Sequence, residues 1–71
     1  MQKEKRVLSD RKIASTGDMI LFERKNNTYK GTVFLVRNNS VLVKISEKDA
    51  KSLGYEQPNT VVGHGKYIFC S

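Results

Sequence analysis

Gly17-Asp18-Met19-Ile20-Leu21-Phe22, followed by Arg24-Lys25-Asn26-Asn27-Thr28-Tyr29-Lys30-Gly31, decides how this chain folds. A Gly-Asp pair opens the first segment, and in a strand Ile20 and Phe22 share one face while Met19 and Leu21 share the other. With both faces apolar, the strand is expected to be covered on both sides. Residues 24–29 are expected to form a hairpin loop, because Asn26-Asn27 tolerates the positive φ of a tight turn. The strand returns near Gly31 as Thr32-Val33-Phe34-Leu35-Val36-Arg37, a continuous apolar run that calls for a bulge or sharp bend. Gly31 suits a close backbone approach or the bulge itself.

Working outward, Asn38-Asn39 marks a two-residue turn, and Val41, Val43 and Ile45 alternate with Leu42 and Lys44 in the third strand. Ser46-Glu47-Lys48-Asp49 is a helix start, Ala50 and Leu53 share a face, and Gly54 is a C-terminal stop. Pro58 keeps residues 55–59 out of the helix. Thr60-Val61-Val62 and Lys66-Tyr67-Ile68-Phe69 close the pattern across Gly63-His64-Gly65. The expected fold is mainly β: a small five-stranded SH3-like, KOW-like barrel with one short helical insertion. It is expected to span residues 16–70, after a flexible basic N-terminal arm of residues 1–15.

Seventy-one residues set a ceiling of one domain. The net charge is +6, from 13 basic and 7 acidic residues. The excess is uneven. Residues 1–16 hold five cations and two anions, residues 23–37 four and one, and residues 44–56 three and three. Such a surface favours phosphate backbones or acidic proteins. There is neither a signal-peptide pattern nor an apolar run long enough to span a membrane, so a soluble, cytoplasmic protein is expected. The single cysteine, Cys70, excludes an intrachain disulfide.

The residues make no case for an enzyme. Gly63-His64-Gly65-Lys66 fails as a phosphate loop, since Thr60 stands where the first glycine belongs and Tyr67 where Ser or Thr belongs. His64, the sole histidine, has no nucleophile or carboxylate near it in sequence and is expected to be solvated or to cap a loop. The acids show no paired spacing. Catalytic residues, metal ligands and cofactors are therefore expected to be none.

A binding role is expected on the hairpin. Arg24, Lys25, Lys30 and Arg37 would neutralise phosphates, and Tyr29 would stack on an unpaired base. The first reading is thus a non-enzymatic, monomeric module for RNA or other single-stranded nucleic acid. The alternative is an SH3-like protein-interaction module, with a groove lined by Tyr29, Tyr55 or Tyr67 for a peptide or acidic protein. Phe22, Phe34 and Phe69 are assigned to the core.

Gly17-Asp18 with Ile20 and Phe22, Gly31 with Val33, Asn39-Ser40-Val41-Leu42-Val43, and Thr60-Val61-Val62 with His64 and Lys66-Tyr67 together resemble the YkvS-like family of small proteins from Bacillus-type bacteria. The resemblance covers about residues 16–69 and implies a KOW or SH3-like barrel. KOW modules contact RNA or protein in ribosomal proteins and transcription elongation factors. The chain departs from the family pattern at Gly63, where Asn is usual, and in the basic arm ahead of Gly17.

Overall fold

The computed structural model describes residues 13–70. Their strands form one antiparallel sheet in the order β4-β3-β2-β1-β5, with β1 at Met19–Arg24, β2 at Asn27–Val36, β3 at Ser40–Lys44, β4 at Asn59–Gly63 and β5 at Tyr67–Phe69. A single short helix, α1 (Glu47–Leu53), links β3 to β4 among these residues. The architecture is mainly β, as the sequence pattern requires. The sheet is not closed into a barrel, since its end strands β4 and β5 do not pair.

The first hairpin is tighter than the sequence suggests. Lys25 (φ 52°) and Asn26 (φ 66°) alone make the turn, one residue earlier than expected. Positive φ at both central residues is the geometry of a type I′ turn, whose twist matches that of the flanking strands. Pairing therefore continues to Arg24 and Asn27, and Tyr29 falls opposite Phe22. Because alternate residues share a face, the register sends Tyr29 inward with Ile20, Phe22 and Val33.

The bulge in β2 lies between Val33 and Leu35, not at Gly31. Gly31 serves the close approach instead: a Cβ there would lie 3.0 Å from Val43 Cβ and 3.2 Å from the Lys44 carbonyl. Across the Asn38-Asn39 turn, the Arg37 N–H donates to the Ser40 carbonyl at 2.8 Å.

The inward residues form the core: Ile20, Phe22, Tyr29, Val33, Val41, Val43, Ile45 and Val62, joined by Ala50 and Leu53 of α1 and by Ala14. Among the described residues packing thus begins at Ala14, ahead of the expected boundary at residue 16; residues 1–12 of the expected arm lie outside the described residues. Helix α1 begins and ends as its sequence predicts. The Ser46 hydroxyl accepts from the Asp49 N–H at 3.0 Å, and Gly54 sits in the left-handed region (φ 79°), donating to the Ala50 and Lys51 carbonyls.

Candidate functional site

The outer face of the sheet is built by the same alternation that fills the core. Residues 21 and 30 lie opposite each other, as do 21 and 68, giving a row Ile68–Leu21–Lys30. Thr32, Lys44 and Asn59 form the next row, and Leu35, Leu42 and Val61 the third. Beside the third row, the bulge sets two residues, Phe34 and Leu35, against the single Leu42. Phe34 follows inward-facing Val33 and so turns outward; Leu35 turns outward with its partner Leu42. Phe34 is 44% exposed, Leu35 46% and Val61 51%. The expected cover over the outer side of β1 is not seen among the described residues: Met19 is exposed and Leu21 half-buried.

The five residues expected to bind nucleic acid separate into three groups. Tyr29 is in the core, 9% exposed, its ring centroid 6.3 Å from that of Phe22. It is removed as a stacking residue, because the two-residue turn fixes the register that buries it. Arg24 is a clamp. Its Nη1 donates to the Glu23 carbonyl at 3.0 Å and its Nη2 to the Val61 carbonyl of β4 at 2.8 Å, and its guanidinium lies 5.1 Å from the Phe22 ring centroid. It thereby ties β1 to β4 where the strands do not pair. Lys25, Lys30 and Arg37 are exposed, but apart: Lys25 precedes β2, Lys30 is on its outer face and Arg37 follows it.

Phe34, like Tyr29, is a residue that sequence reasoning misplaced. A continuous apolar run looks like core on both sides, and only the position of the bulge reveals which member is expelled. Phe22 is buried as expected, and Phe69 packs against the core half-buried.

Near the Arg24 clamp, half-buried Tyr55 interacts with Arg24 and Thr60. Burial pushes its hydroxyl pKa up. Hydrogen bonds from Arg24 and Thr60, with the positive charges of Arg24 and Lys25, outweigh that and hold it below the usual tyrosine value.

His64 caps turns. Its Nε2 lies 2.8 Å from the Arg37 carbonyl and its Nδ1 3.0 Å from the Tyr67 hydroxyl, which accepts from the Ala14 N–H at 2.9 Å. A carbonyl only accepts, so Nε2 carries a proton; in the neutral ring Nδ1 then accepts from the Tyr67 hydroxyl. The chain of bonds joins the entry segment, the β4–β5 turn and the β2–β3 turn, where the His64 N–H also donates to the Asn39 carbonyl.

Strand β5 covers β1 only from Ile20 to Phe22. Beyond it, Glu23 and Arg24 border an open groove of about 660 Å³, also lined by Leu21, Phe22, Thr28, Lys66, Tyr67 and Ile68. No group of three or more His, Cys, Asp or Glu among the described residues is placed to hold a metal ion. Nor is any helix among them long and apolar enough to cross a membrane.

Fold and surface together define a small single-sheet β domain with an apolar, cation-bearing outer face. The chain belongs to a bacterial family described as uncharacterized protein conserved in bacteria (DUF2187), whose model matches residues 12–69. No curated protein and no solved structure matches it.

Proposed function

We propose that the domain is a non-enzymatic module that binds single-stranded nucleic acid, RNA foremost, along the outer face of β2. The observation that carries this reading is Phe34, held outward by the bulge on the face that bears Lys30 and Lys44. Phe34 supplies the stacking ring in place of buried Tyr29; a base can stack on it whatever the base identity. Lys25 and Arg37 stand at the two ends of β2, so cations mark the length of the track. The resemblance to KOW-type barrels agrees with this reading by fold analogy. The module acts as a cytoplasmic monomer.

The test is a titration with single-stranded RNA, single-stranded DNA and duplex DNA across a range of salt. Four phosphate contacts on a single strand give a log–log salt slope of roughly −3. Phe34→Ala weakens binding about tenfold, the loss of one base stack. Absence of binding at low salt, or equal binding by Phe34→Ala, overturns the reading.

One observation favours a second reading. The Leu35–Leu42–Val61 row is aliphatic and partly open, which suits an acidic protein partner framed by Lys30 and Lys44. A Leu35→Ser variant that loses a protein partner while keeping oligonucleotide affinity would support it.

A further inference from the structure

We infer that the groove beyond the end of β5 is a subsite for one nucleotide of the bound strand, taking the base on its apolar lining and the phosphate between Lys66 and Arg24. The inference rests on the nucleic-acid reading above and deepens it, because groove and track are continuous. Leu21 and Ile68 line the groove, and Leu21 is opposite Lys30 on the outer face. A strand that passes Phe34 and Lys30 reaches the groove by crossing β1.

The shape follows from strand lengths. β1 has six residues and β5 three, so the last part of β1 has no strand on its β5 side. The gap, about 660 Å³, falls within the range of small-molecule sites. Its apolar lining is half-buried Leu21 and Tyr67 with Ile68, which is 64% exposed; Phe22 borders the groove, but its ring lies in the core, 2% exposed, beneath the Arg24 guanidinium.

The polar groups suit a nucleotide. Arg24 is held in place by two carbonyls and the Phe22 ring, and a guanidinium has further N–H donors to offer. Lys66 is exposed in the lining and adds a second cation. Thr28 contributes a hydroxyl. Glu23 is the one carboxylate among the lining residues, and it can accept from the exocyclic amino group of a base. An added peptide strand is the competing occupant of such a gap, but two cations against one carboxylate favour an anion.

The probe is cytidine 5′-monophosphate, with ribose 5-phosphate as the baseless control, followed by amide NMR shifts of the full chain. The nucleotide is expected to shift Leu21, Thr28 and Tyr67 saturably and to bind about tenfold more tightly than ribose 5-phosphate, the share of base stacking. Lys66→Ala, on an exposed side chain, is expected to weaken it several-fold. Equal binding of the two probes, no effect of Lys66→Ala, or shifts confined to other residues would overturn the subsite. Should oligonucleotides still bind in a Phe34-dependent manner, the surface reading survives that failure. Loss of Phe34-dependent oligonucleotide binding overturns both together.

Discussion

Tyr29 shows how one side chain's role turns on register. Its ring packs on Phe22 inside the sheet, so its deletion leaves a hole that neighbours fill only in part. Tyr29→Ala should destabilise the fold by about 3 kcal/mol, as large aromatic truncations do. Tyr29→Phe should leave oligonucleotide affinity unchanged, since no base reaches the ring. Chemical denaturation and a binding titration check the two halves. Tyr67 is the opposite case, where the hydroxyl matters more than the ring's place in the core. It accepts from Ala14 and partners His64, so Tyr67→Phe leaves a half-buried N–H and a ring nitrogen unmatched. The expected cost is about 1–3 kcal/mol. Hydrogen exchange at the Ala14 amide should accelerate by more than exchange in β3, and equal acceleration would mean the hydroxyl does not hold the entry segment.

At the level of elements, what the sequence revealed and what it concealed have separate physical causes. The alternation in Val41-Leu42-Val43-Lys44-Ile45 placed β3 with its inward face correct, because one face is buried and the other open. Ser46 and Gly54 marked α1 by capping chemistry that needs no tertiary partner. The β1–β2 turn was harder. A lysine seldom adopts positive φ, so Asn26-Asn27 looked like the better pair, and the one-residue difference carried Tyr29 from surface to core. The outward face of Phe34 was hidden for a related reason: an apolar run has no period to report a bulge. Arg24, too, looked like a free cation, because its partner, the Val61 carbonyl, is distant in sequence. The strained turn makes a test. Replacing Lys25-Asn26 by Asn-Gly supplies the residues that a type I′ turn prefers. Lys25→Asn with Asn26→Gly should raise stability by roughly 1 kcal/mol through relief of backbone strain. The same change removes one cation from the proposed track, so the salt slope should become shallower by about 0.7. Opposite movements of stability and salt slope would show that Lys25 is kept for binding at the expense of the turn.

For the whole molecule, charge is unevenly placed along the chain. Among the described residues the core begins at Ala14, and residues 1–12 of the sequence hold five cations and two anions, half of the formal net charge of +6. The bond chain Ala14–Tyr67–His64–Arg37 brings the point where this basic segment joins the domain close to the β2–β3 turn, and hence to the Arg37 end of the track. Charge alone gives contacts to phosphate that are blind to sequence, whereas stacking on Phe34 requires an unpaired base. Removing residues 1–11 should therefore have separable effects. Thermal stability should stay close to that of the full chain, because Ala14 and its bond to Tyr67 remain. Affinity should fall for single strands and duplexes alike, and the salt slope should shrink. The tenfold penalty of Phe34→Ala on single strands should persist in the shortened chain. Melting curves and salt titrations of the four proteins, full and shortened, each with and without Phe34, measure all of this in one set. A Phe34 penalty that disappears with the segment would place the base-stacking contact outside the sheet face and require the track along β2 to be abandoned.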